Sequence, residues 1–193
     1  MSLEIRNLDK SDYKKAIRFA IKGMHFDWYL NSSFLLEAYG RYFWYLEMNR
    51  ATEILAAYSD GIFAGVLLAE IYGEEKKHQS WYEKLYVRFV DIIQRTFFKH
   101  GAGLYEETVK DQLSHYLANN KPNGEIIFLA ADPDAKIKGI GSALLGELEK
   151  KLPGKYCIYI QMMLAHISFM SEEALLALKS KTLFLKCQRG VCR

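Results

Sequence analysis

One stretch constrains this chain more than any other: residues 125–152, EIIFLAADPDAKIKGIGSALLGELEKKL. It opens with an apolar run, Ile126-Ile127-Phe128-Leu129-Ala130-Ala131, rich in β-branched and aromatic side chains, which predicts a buried strand. Asp132-Pro133-Asp134 ends the run, because proline lacks the N–H that a ladder needs and restricts the residue before it. A basic, glycine-containing loop follows, Lys136-Ile137-Lys138-Gly139-Ile140-Gly141. From Ser142 onward, Leu144, Leu145, Leu148 and Leu152 recur at helical spacing. A strand therefore feeds a loop that opens a helix. Glycines let a ligand come close to the backbone, and the first free N–H groups of the helix point at it. That geometry suits phosphate.

Several readings of the loop compete. A P-loop ends in Gly-Lys-Ser/Thr, which is absent here. The dinucleotide fingerprint needs a third small residue where Leu144 stands, and it places its glycines directly after the strand. An ordinary strand–turn–helix, with glycines serving only the turn, also has this pattern. Lys136-x-x-Gly139-x-Gly141, set between strand and helix, resembles the acetyl-CoA-binding core of the GNAT acetyltransferases. Their pattern is Gln/Arg-x-x-Gly-x-Gly/Ala. The departure is Lys136 at the first position, which keeps the charge of Arg but not its planar fork.

The resemblance implies acetyl-CoA as co-substrate and an amine-bearing small molecule or peptide as acceptor. Backbone N–H groups at Leu129, Ala130 and Ala131 would bind the pantetheine arm and polarise the thioester carbonyl. The loop residues Lys136, Ile137, Lys138, Gly139, Ile140, Gly141 and Ser142 would hold the pyrophosphate. A general base would take the amine proton, often through water. By position the candidates are Glu70 and Asp132, each equally readable as a surface or capping carboxylate. The family's usual general acid is a tyrosine in the helix after the fifth strand, and no tyrosine follows Tyr159. The catalytic residues therefore stay unassigned.

The rest of the chain supplies the other elements. Leu3 to Leu8 alternates as a first strand, and Ser11-Asp12 can cap a helix to about Met24. Ser32 or Ser33 opens a second helix, to about Asn49. Thr52–Tyr58 and Gly61–Ile71 read as strands joined by a tight turn at Ser59-Asp60-Gly61. Residues 73–122 read as a helical insert with two helical patterns, 81–98 and 106–119. It would cover the acceptor pocket or serve as an interaction face. Glu74-Glu75-Lys76-Lys77-His78 reads as a solvated turn. Phe43, Trp44 and Leu46 are candidate core, and exposed members of the clusters at 25–29 and 39–45 are candidate acceptor contacts. Cys157, on the expected fifth strand, reads as a small core residue.

Composition narrows the classes. Half of the 193 residues are hydrophobic and a quarter charged, as in a globular domain. No apolar run reaches the roughly 18 residues of a membrane span. The charged N-terminus is unlike a signal peptide, and three cysteines make no disulfide framework, so a cytoplasmic setting is expected. A net charge of +3 without a basic stripe argues against nucleic acid. The five histidines lack metal-ligand spacing, so no metal is expected.

The tail differs. Residues 161–193 hold no Tyr, Trp, Asp, Asn or Pro, but half of the methionines and two of the three cysteines. One reading is a frameshift near codon 160. Back-translated with permitted codons and read one base earlier, QMMLAHISFMS becomes TDDACTYQFYE, and the remaining codons can be read as RRGF and an alternating strand, DIVLEM. Those are the segments that the resemblance leads one to expect. The other reading is a divergent tail in which Ser171 caps a helix through Leu178.

The expected fold is thus α/β (α+β), a mixed, mainly antiparallel sheet flanked by helices, with residues 1–160 as the acetyl-CoA-binding domain. The expected activity is N-acetyl transfer; the alternative is a non-catalytic CoA-binding or interaction module. An exposed fifth-strand edge would favour pairing of two copies.

Overall fold

The computed structural model describes residues 2–24, 26–28, 30–97, 121–132, 134–135, 137–152 and 157–159. Pro133, Lys136, the helical pattern at 106–119 and the tail at 161–193 lie outside the described residues.

Five strands form one sheet in the order β1 (Leu3–Arg6), β2 (Glu53–Ser59), β3 (Ile62–Ile71), β4 (Gly124–Ala131) and β5 (Cys157–Tyr159). The first four are antiparallel and β5 runs parallel to β4. A parallel pair needs a crossover connection, and α4 (Ile140–Lys151) lies on it. The β2–β3 turn is tight because Asp60 and Gly61 both take positive φ, 48° and 80°, as a two-residue hairpin of matching twist requires.

Helices α1 (Tyr13–Gly23) and α2 (Ser33–Arg50) cover one face of the sheet. There Phe19, Phe43, Trp44 and Met48 pack on Tyr58, Val66, Leu68 and Phe128. On the other face Ile140, Leu144, Leu148 and Leu152 pack on Leu55, Leu67, Ile71 and Ile126. The fold is therefore a mixed, mainly antiparallel sheet between helices, as expected.

Several boundaries differ from the sequence reading. β1 ends at Arg6. A 3-10 turn (Lys10–Asp12) precedes α1, and the Asp12 carboxylate accepts from Tyr58 Oη at 2.9 Å instead of capping the helix. Phe43 and Trp44 are core, but Leu46 is only half-buried, while Glu47 is buried in its neighbourhood.

The first insert helix, α3 (Trp81–Phe97), packs on α2 through tyrosines. Tyr42 donates to Asp91 at 2.7 Å, Tyr86 donates to the Ala38 carbonyl, and Tyr45 meets Tyr82 and Tyr86 edge-on. Tyr39, Tyr42 and Tyr45 are thus half-buried, rather than exposed for an acceptor. Trp81, Leu85, Phe89 and Ile92 on α3 stay exposed. The turn at 74–78 is not simply solvated: Lys76 pairs with Glu70, Lys77 with Glu53, and His78 with the buried Glu83.

Candidate functional site

The site grows from the two ends of β4. Near its middle, Leu68 pairs with Phe128 but Ala69 pairs with Ile126, so Ile127 is an extra residue. Such a bulge twists a strand and re-aims its side chains. Ile127 and Phe128 consequently both face α1 and α2, breaking the alternation. The described pairing of β5 with β4 covers Gly124, Glu125 and Ile126 and ends where the bulge begins.

Main-chain direction beyond the bulge follows from two bonds. Asp132 N–H donates to the Ala64 carbonyl at 2.7 Å, and Thr52 N–H donates to the Ala69 carbonyl at 2.9 Å. Alternate residues of a strand present their amides to the same neighbour. Ala130 therefore bonds β3, while Leu129 and Ala131 turn their N–H and C=O groups to the opposite edge. Among the described residues no strand pairs with that edge beyond Ile126.

The loop after β4 is pinned from α1. Lys15 Nζ lies 2.9 Å from Asp132 and 2.6 Å from the Phe63 carbonyl, and Lys22 lies 3.6 Å from Asp134. Asp132 also accepts the Asp134 N–H, closing an Asx turn. Gly139 has φ 85° and ψ 11°, a left-handed conformation that glycine adopts without strain, and starts α4 from there. The helix thus begins at Ile140, two residues before Ser142. Ile140 is held down because Gly65 has no side chain: a Cβ there would lie 2.6 Å from Ile140 Cγ2. Gly141 differs, since a Cβ there would meet no heavy atom within 4 Å. Lys138, Gly139 and Ser142 are exposed, Ile137 and Gly141 half-buried.

Of the expected cofactor residues, the structure brings Leu129, Ala131, Gly139, Ile140, Gly141 and Ser142 to one end of the sheet. Ala130 directs its amide to β3.

At the other end of β4 lies a cluster that the sequence reading missed. Glu125 and Glu70 are direct cross-strand partners. Arg50, at the end of α2, bonds Glu70 at 3.0 Å, Glu125 at 3.0 Å and Glu47 at 3.2 Å. Lys76 bonds Glu70 and also donates to the Arg50 carbonyl. Burial works to raise the Glu70 carboxyl, but Lys76 and Arg50 outweigh it and hold it below the ordinary range. Asp132 is likewise held low, its burial outweighed by Lys15 and the Asp134 N–H. Glu125 goes the other way, because burial exceeds what Arg50 returns. Burial pushes Glu47, 6% exposed, up to about 7 against the pull of Arg50. A base for neutral pH needs a pKa near the working pH. Glu70 and Asp132 are therefore poorly tuned for that role, and Glu125 and Glu47 better.

Cys157 is buried on β5, as expected of a core residue. Among the described residues no group of His, Cys, Asp and Glu is arranged to hold a metal, and no helix is long and apolar enough to cross a membrane. No protein-family model matches the chain, and no curated protein is similar to it.

Proposed function

We propose that this chain is an acetyl-CoA-dependent N-acetyltransferase acting on an amine-bearing acceptor, in the manner of the GNAT family. The observation that carries the reading is a group of backbone donors at one end of the sheet. They are the outward N–H groups of Leu129 and Ala131 and the first free N–H groups of α4, at Ile140, Gly141 and Ser142, where Ile140 packs against Gly65 opposite Ala131. An extended acyl-pantetheine arm fits the edge, and its pyrophosphate fits the helix N-terminus. Acetyl-CoA supplies an activated acyl group as a thioester.

The chain's own residues do the rest. Leu129 N–H, just past the bulge, is placed to polarise a carbonyl. Lys138, exposed beside Gly139, adds positive charge for phosphate. Glu125, four residues back along the same strand, takes the acceptor's ammonium proton through water, because its carboxyl is held above the ordinary range. Arg50 keeps Glu125 oriented.

One observation favours a non-catalytic CoA-binding module: no tyrosine follows Tyr159 to protonate the departing thiolate. Thiol release from acetyl-CoA with a panel of amines separates the two. The enzyme releases CoA in proportion to amine, and the module binds acetyl-CoA without release. A nucleotide-binding protein using the same loop would instead be stabilised in a thermal melt by ATP or NAD, not by acetyl-CoA. We also read the tail as frameshifted; sequencing the source gene across codons 155 to 170 tests this, and an intact frame contradicts it.

A further inference from the structure

We propose that Arg50 is the positioning residue for Glu125: one guanidinium, divided among three carboxylates, sets the pH at which Glu125 becomes a free base. This rests on Glu125 acting as the base in acetyl transfer.

Two negative charges directly opposite in a sheet repel, yet Glu70 and Glu125 occupy such a pair. Arg50 Nη2 bridges them, 3.0 Å from each, and Nη1 reaches Glu47 at 3.2 Å. Among the described residues, the groups facing Glu125 come from several neighbouring elements. From α2 come Arg50 and Glu47; from β3 comes Glu70, with Tyr72 just past its end. Lys76 reaches the cluster through Glu70, and Cys157 on β5 stands opposite Gly124. Among the described residues the cluster holds three carboxylates against two permanent cations, so full ionisation leaves one negative charge in surplus. Glu70 is secured by both cations. The surplus therefore falls on Glu47, which burial keeps protonated up to about pH 7, so that below it Arg50 serves Glu70 and Glu125. Weakening the Arg50 fork should therefore leave Glu125 less well compensated and make it a free base only at higher pH.

The test is a carboxyl 13C NMR titration of Glu125 in the full chain, with the pH profile of kcat/KM beside it. Glu47→Gln removes a group that is still uncharged where Glu125 ionises, and is expected to leave the Glu125 midpoint in place. Arg50→Lys keeps the charge but loses the fork, and is expected to raise the midpoint. Arg50→Gln removes the charge as well, is expected to raise the midpoint further and to move the acidic limb of kcat/KM with it, and serves as the test should Arg50→Lys not fold. A purely structural role would lower thermal stability and leave the midpoint in place. A Glu125 midpoint unmoved in a folded Arg50 variant overturns the proposal. If the midpoints shift as expected but no amine draws CoA from acetyl-CoA, the coupling stands and the acetyltransferase reading fails.

Discussion

The two ends of β4 are built oppositely. At its start, Gly124, Glu125 and Ile126 are paired on both sides, to β3 and to β5, and Glu125 is ion-paired to Arg50 at the end of α2. At its other end, Leu129 and Ala131 are paired only to β3 among the described residues, and Ala131 is exposed. Ile127, the extra residue of the bulge, divides them. The clamped end spends its backbone groups on the fold and concentrates charge. The open end leaves the outward N–H groups of Leu129 and Ala131 without a strand partner among the described residues. A strand that does both can orient a reacting group at one end and bind an extended ligand at the other.

Substitutions at each end should separate these roles. The largest effect is expected from Glu125→Gln, which should lower kcat by about 100- to 1,000-fold while acetyl-CoA affinity by calorimetry is kept. Next comes Gly124→Ala. Its Cβ would lie 2.5 Å from the Glu70 carbonyl oxygen, a backbone atom that cannot turn aside. Denaturant unfolding should show a loss of about 3 kcal/mol.

Glu47 gives a pH signature. Its carboxyl is raised from an ordinary 4.5 to about 7, so the folded state holds a proton that the unfolded state has released. Stability should therefore fall as pH rises from about 4.5 to 7. Glu47→Gln should flatten that slope and stabilise the protein at pH 8, by on the order of 2 kcal/mol in denaturant titrations. Asp132 and Glu70, both lowered, behave oppositely: their contribution is lost only when acid protonates them, below their ordinary range.

At the open end the effects on folding are smaller. Gly139→Ala forces a side chain into the left-handed region and should cost about 1 kcal/mol. Gly141→Ala should raise stability by roughly 0.5 kcal/mol, since alanine is the better helix former and its methyl meets nothing. It should nevertheless weaken acetyl-CoA binding, because the methyl stands where a pyrophosphate approaches the helix. Thermal melts with and without acetyl-CoA would show both signs at once.

Much of this was legible in the sequence where local chemistry decides the outcome. The Asp60-Gly61 turn, α2, both central strands and the β4–loop–α4 unit follow from turn residues and periodicity. The bulge was not legible, because every residue from Ile126 to Ala131 is apolar and a uniform run carries no alternation to break. The charged cluster was hidden for another reason. Glu47, Arg50, Glu70, Lys76 and Glu125 are scattered along the chain, and only β3–β4 pairing and the docking of α2 bring them together. One signal pointed there: Glu125 stands at the head of a strand read as buried, where a carboxylate needs a partner. A charged run such as 74–78 reads as solvated, whereas the long side chains of Lys76 and Lys77 reach back to carboxylates on the sheet.

The most direct test is to follow backbone amide shifts while acetyl-CoA is titrated into the full chain. The account predicts specific, saturable shifts at Leu129, Ala131, Ile140, Gly141 and Ser142, and little change at Leu67 or Val66 inside the sheet. If acetyl-CoA leaves those amides unmoved, or ATP moves them equally, the open end of β4 is not an acetyl-CoA site and the account is wrong.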